Sequence, residues 1–149
     1  MYVRQMLVSD IDRVYEVACM SLEESYLREV FIYFTAGWPG GQLVAVDDLG
    51  YIAGFLTGAR LTSDKATIAL LAVDPRYRGK GSGGRLLEEF RARTSMEGMH
   101  YIQLEVRETN TAALSFYKKA GFAPIAFLED FYQDGCTAVR MMRSVHMNA

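Results

Sequence analysis

Apolar and polar residues change period several times along the chain, and each change marks an element. Residues 2–7 form a short stretch suited to an edge strand. Ser9 then stands where a helix cap belongs, with Asp10 and Asp12 in the first turn. Ile11, Val14, Val17 and Ala18 keep helical spacing to about Cys19. Leu27, Val30, Phe31 and Phe34 mark one face of a second helix over residues 26–36, after a polar elbow at 21–26. Gly37-Trp-Pro-Gly-Gly breaks the pattern. Three strands follow, over 42–46, 51–61 and 66–73, spaced as an antiparallel meander. Pro75 ends the third, because it has no N–H to give a ladder. A helix then turns Leu86, Leu87 and Phe90 inward and Glu88, Glu89, Arg91 and Arg93 outward, and Gly98 closes it. Residues 101–106 alternate, with Tyr101, Gln103 and Glu105 against Ile102, Leu104 and Val106. Asn110 caps a helix whose inward positions come from Ala113, Leu114, Phe116, Tyr117 and Ala120, and Gly121 ends it. Strands at 122–131 and 136–142 form a last hairpin around Gln133-Asp-Gly135.

The order is β-α-α-β-β-β-α-β-α-β-β. This predicts the α+β class: a mixed, mostly antiparallel seven-stranded sheet flanked by four helices. No linker, internal repeat or low-complexity run divides the chain, so residues 1–149 are expected to be one domain. Half the residues are hydrophobic, enough for a real core. A net charge of −2 gives no case for nucleic acid as partner. No apolar run reaches the roughly 20 residues of a membrane span, and the start lacks a signal-peptide pattern. Cys19 and Cys136 are isolated thiols without metal-ligand spacing, and His100 and His146 lie far from partners in sequence. The expectation is a cytoplasmic protein with no metal and no membrane association.

The chemistry concentrates after the strand at 66–73. Four glycines, at 79, 81, 83 and 84, free the backbone N–H groups just before a helix begins. Those amides and the positive end of the helix dipole make a phosphate cradle. Arg76, Arg78, Lys80 and Arg85 add positive charge. Gly79-x-Gly81-x-x-Gly84 matches the dinucleotide fingerprint, but that motif lies directly between strand and helix of an early βαβ unit, whereas here Asp74-Pro-Arg-Tyr intervenes after a meander. No Gly-Lys-Ser/Thr closes the run, which excludes the nucleoside-triphosphate loop.

Arg78-Gly-Lys-Gly-Ser-Gly resembles the Arg-x-x-Gly-x-Gly loop of the GNAT acetyltransferases, and the element order resembles the GNAT fold over essentially the whole chain. The resemblance implies acetyl-CoA as co-substrate. It places the pantetheine and thioester carbonyl on backbone amides of Leu71, Ala72 and Val73. The pyrophosphate falls on Gly79, Lys80, Gly81, Ser82, Gly83 and Gly84, with Arg78 and Lys80 assisting. Further on, "LEVRETN" and "AALSFYKKAGF" resemble the N-terminal acetyltransferases of the RimI type and their archaeal relatives. In that group the Glu is general base, the Asn contacts the cofactor and the Tyr protonates the leaving thiolate. These roles fall on Glu105, Asn110 and Tyr117. By pattern alone, Glu105 also suits a solvent-facing position, Asn110 a helix cap and Tyr117 a core aromatic.

At the substrate end, Leu22-Glu-Glu-Ser-Tyr resembles the family's "LPENY" elbow, which implies that Glu24 and Tyr26 line the peptide mouth; Glu23 replaces its proline. Phe131-Tyr-Gln-Asp-Gly resembles the "YYEDG" loop, with Tyr132 the implied contact and Phe131 lacking the hydroxyl. The function implied is acetyl transfer to the α-amine of protein or peptide N-termini in a ternary complex. Transfer to internal lysine or a small amine, and a non-catalytic acyl-CoA sensor, are the alternatives. Glu105 or Glu24 serves as base, and a partner subunit or a homodimer stays open.

Overall fold

The computed structural model describes residues 1–22 and 25–147. The elements are β1 (Tyr2–Gln5), α1 (Ile11–Ser21), α2 (Glu29–Gly37), β2 (Leu43–Val46), β3 (Ile52–Arg60), β4 (Lys65–Val73), α3 (Ser82–Met96), β5 (Tyr101–Arg107), α4 (Thr111–Lys119), β6 (Ala123–Leu128) and β7 (Ala138–Ser144). The strands form one sheet in the order β1-β2-β3-β4-β5-β7-β6. Every pairing is antiparallel except β4 with β5. The predicted order and class therefore stand.

Each sheet face buries its own core. Ile11, Val14, Val17 and Phe31 of α1 and α2 pack on Val44, Val46, Phe55, Leu70 and Ala72. On the other face, Leu86 and Phe90 of α3 pack with Trp38, Leu43, Leu56, Leu104 and Met141. Each large side chain so buried stabilises the fold by about 1.5–3 kcal/mol. Phe90 lies 5.6 Å from the Trp38 ring and fills the space over Gly58, where a Cβ would come within 2.5 Å of it. The Gly-rich break at 37–41 thus delivers a core tryptophan rather than a solvent loop.

Local details correct two expectations and supply His100 with partners distant in sequence. Ser9 is not the cap of α1: it lies inside a 3₁₀ turn, Val8–Asp10. Asp10 is the N-cap residue of α1, but its buried carboxylate turns back to the start of that turn, accepting the Leu7 N–H at 2.7 Å and two Arg4 guanidinium nitrogens. The second helix starts at Glu29, so Leu27 lies before it and is exposed. His100 is not alone: its Nδ1 contacts Asp64 and its ring lies 5.5 Å from His146.

The site originates in β4. Thr57 opposes Leu70 while Gly58 opposes Ile68, so Ala69 is an extra residue with no partner on β3. The bulge reverses the alternation. Ala66 and Ile68 face the α3 core, whereas Leu70 and Ala72 face the α1 core. Buried Gln42 braces the opposite strand, accepting from Gly58 N–H at 3.1 Å and donating to its carbonyl at 2.7 Å. The ladder of β4 with β5 covers only Lys65–Thr67 against Tyr101–Gln103. Past the bulge the two strands part, and a groove opens between them.

Candidate active site

The groove has two lobes, of about 590 Å³ and about 490 Å³. They meet at Ser21, Leu71, Asn110, Ala113 and Tyr117, which line both.

The larger lobe runs from the end of β4 over the glycine loop to the start of α3. Asp74 anchors this loop. Its fully buried carboxylate accepts the Arg76 N–H, the Arg76 guanidinium and Arg13 of α1. The Arg76 hydrogen bond, with Arg13 behind it, holds this carboxyl far below the usual carboxylate range. A carboxylate depressed in the folded state stabilises it above its unfolded value and loses that contribution as pH falls below about 4. Asp74→Asn is therefore expected to lower Tm at neutral pH and to approach wild type in acid, in thermal melts followed across that range.

Beyond Asp74, Gly79 and Gly81 take φ of +79° and +82°, which favours glycine, and Gly81 is the N-cap of α3. Gly83 packs closely on α4: a Cβ would stand 3.0 Å from the Phe116 ring, which would have to shift. Gly79, Gly81, Ser82, Gly83, Gly84 and Arg78 all line the lobe. The other loop cations are engaged elsewhere. Arg76 is bound to Asp74, Arg85 donates to the Met1 carbonyl, and Lys80 lies 5.6 Å from the Tyr77 ring and outside the lining. The Lys80 side chain thus lies beside Tyr77, itself a lining residue, rather than in the lining.

The β4 backbone sorts by pleat. Asp74 N–H donates to Ala53, which makes Asp74, Ala72 and Leu70 the residues bonded to β3. Leu71 and Val73 then turn their amides and carbonyls to the groove, and the Ser21 hydroxyl donates to the Val73 carbonyl at 3.1 Å. Of the three strand residues expected to offer amides, Ala72 has its amide committed to β3.

At the junction, Asn110 Oδ1 accepts the Ala113 N–H at 3.1 Å and caps α4. The cap uses the oxygen and leaves the amide nitrogen's two donors for the groove. Tyr117 stands about two turns into the same helix, packed edge-on against Phe116 and Phe122. Burial pushes its phenol well above the ordinary range, so it stays a protonated donor. Glu105 is half-buried on the groove side of β5. Its Oε2 accepts Arg140 Nε at 2.9 Å and Gln103 Nε2 at 3.1 Å.

The smaller lobe is lined by Tyr26 and Tyr132, and also by Leu22, Phe34, Phe131 and Ile68. Arg107 lies 4.2 Å from the Tyr132 ring and binds Asp134 at 2.9 Å, tying the β6–β7 loop to β5. Glu24 lies outside the described residues. Phe131 was legible as a loop position but not as a wall. Phe34 carried only the apolar signal of a helix face, and Leu22 stood in the elbow with no role assigned to it. Among the described residues no cluster of three His, Cys, Asp or Glu side chains is arranged for a metal, and no helix is long and apolar enough to cross a membrane.

A sequence model of the acetyltransferase (GNAT) family matches residues 11–122. N-alpha-acetyltransferase 30 of Schizosaccharomyces pombe is 33% identical over 122 residues, covering 80% of this chain and 81% of that protein. The solved structure of Ard1 from Thermoplasma volcanium matches with a TM-score of 0.93 and 34% identity over 97% of both chains. A structure of the NatC complex bound to Gag peptide and CoA holds a chain with a TM-score of 0.85 and 24% identity, covering 97% of this chain and 99% of that one, a likeness of fold.

Proposed function

This chain belongs to the GNAT acetyltransferase family, and we propose that it acetylates the free α-amine of protein or peptide N-termini by direct attack on acetyl-CoA. The observation that carries this reading is the meeting of the two lobes at Tyr117, Asn110 and Leu71. A cofactor lobe and an acceptor lobe that share a wall let both substrates react side by side. The named N-alpha-acetyltransferase relative and the peptide-and-CoA-bound neighbour support the choice of acceptor.

The residues fit acetyl-CoA: glycine-loop amides and the start of α3 suit a pyrophosphate, and the turned-out amides of Leu71 and Val73 suit pantetheine and a carbonyl. Acetyl-CoA supplies the activated acetyl group. Glu105 takes the proton of the attacking amine, and Tyr117 gives one to the leaving sulfur. Tyr26 and Tyr132 hold the peptide end. One sheet spans the described residues, which supports reading 1–149 as one acetyltransferase domain, with the cytoplasm as its expected place.

Free-thiol release from acetyl-CoA, followed over short peptides differing at residue one, tests the proposal. Release is expected with a free α-amine and not with N-blocked peptides that carry a lysine. Release from the blocked, lysine-bearing set alone would move the acceptor to lysine.

A further inference from the structure

Among the described residues that line the groove, Glu105 is the one carboxylate, and it is not held by β5 alone. Arg140 lies directly opposite it on β7, so the pleat sends both side chains to one face. Gln103, two residues earlier on β5, reaches the same oxygen from the other side. Behind it, Lys65 Nζ donates to Gln103 Oε1 at 3.2 Å. That contact fixes the amide: the end toward Lys65 must accept, and the end toward Glu105 must donate. β7 is paired on both sides, to β5 and β6, which holds the Arg140 backbone still. A cross-strand ion pair kept for sheet stability needs neither a second donor on the same oxygen nor a lysine behind that donor.

We propose that Arg140 is a positioning residue for acetyl transfer: with Gln103 it occupies Oε2 of Glu105 and so presents Oε1 to the substrate amine. This rests on the proposed function and on Glu105 as proton acceptor. In the step it serves, a neutral amine forms its bond to the acetyl carbon and gives up an N–H proton to Oε1. The carbon–sulfur bond breaks, the sulfur leaves with the electron pair, and Tyr117 protonates it. Proton exchange with water restores both side chains. Gln103 and Arg140 hydrogen-bond to Glu105, and Lys65, Thr67 and Arg107 lie beside it on β4 and β5.

A double-mutant cycle of Arg140→Met with Glu105→Gln tests this, with kcat, acetyl-CoA Kd and Tm measured for each protein on an accepted peptide. Arg140→Met is expected to lower kcat about 20-fold with acetyl-CoA affinity within about twofold. In the Glu105→Gln background the same change should alter kcat less than about twofold, because the residue it acts through is gone. Arg140→Lys, which keeps a charged donor, should return to within about fivefold of wild type, and it carries the cycle if the Met variant does not fold. Equal losses in both backgrounds, or full activity of Arg140→Met beside a slow Glu105→Gln, overturn the role of Arg140 alone. Full activity of Glu105→Gln overturns the proton-acceptor reading and this proposal together. No acetylation of any free α-amine overturns the function itself.

Discussion

Tyr117→Phe is expected to lower kcat by about 10²- to 10³-fold while acetyl-CoA affinity stays within about threefold. Tyr117 is buried between the rings of Phe116 and Phe122. Phenylalanine fills the same volume and keeps both edge contacts, so the change removes the hydroxyl and little else. The cost in stability should stay within about 1 kcal/mol. Tyr117 lines both lobes where they share a wall, and in the proposed reaction the sulfur departs there. An ordinary thiol titrates near about 8.5, so a thiolate is expelled with difficulty at neutral pH unless a proton meets it. Burial raises the Tyr117 pKa, which keeps the proton on the phenol through neutral and mildly alkaline solution. No alkaline fall in rate from this group is therefore expected there. Thiol release gives kcat, and calorimetric titration gives affinity. Parallel loss of both would make Tyr117 a structural aromatic.

Much of this site was legible because it sits on regular elements. The alternation along β5 separates Glu105 from Leu104 and Val106, and the cap at Asn110 places Tyr117 on the inner side of α4. The glycine spacing announced the loop. Three features left no such trace. The bulge at Ala69 is one residue inside the apolar run Ile68-Ala-Leu-Leu, where an insertion changes no visible pattern, yet it turns the strand and opens the groove. Arg140 gains meaning only from register, since it meets Glu105 across 35 positions of chain. Which loop cation faces the groove depended on partners that spacing does not encode, the adjoining Asp74 for Arg76 and the distant Met1 for Arg85. Local chemistry thus reads from sequence where spacing encodes it, and long-range pairing does not.

The loop offers the sharper separation of charge from shape. Gly81→Asp is expected to raise KM for acetyl-CoA by about 100-fold over Gly81→Asn. Gly81 has a φ of +82°, and no atom lies within 4 Å of where its Cβ would be, so either substitution starts in open space. Asn and Asp tolerate this left-handed region better than other residues, and both bear a similar strain of up to about 1–2 kcal/mol. What differs is one negative charge at the N-cap of α3, beside the amides of Ser82, Gly83 and Gly84. A carboxylate about 4 Å from an anionic phosphate oxygen is repelled by about 4 kcal/mol at an effective dielectric of 20, and partial screening brings this near the 2.7 kcal/mol or so of a 100-fold change. The same charge acts in the opposite direction on the free protein. At a helix N-terminus Asp stabilises by about 0.3–1 kcal/mol. The Asp variant should thus melt higher than the Asn variant while binding acetyl-CoA far more weakly, and added salt should narrow the gap in affinity. A misfolded loop would lower both quantities together. Equal affinities for the two variants would mean that no phosphate sits over this helix start, and the cradle would have to be sought elsewhere in the groove.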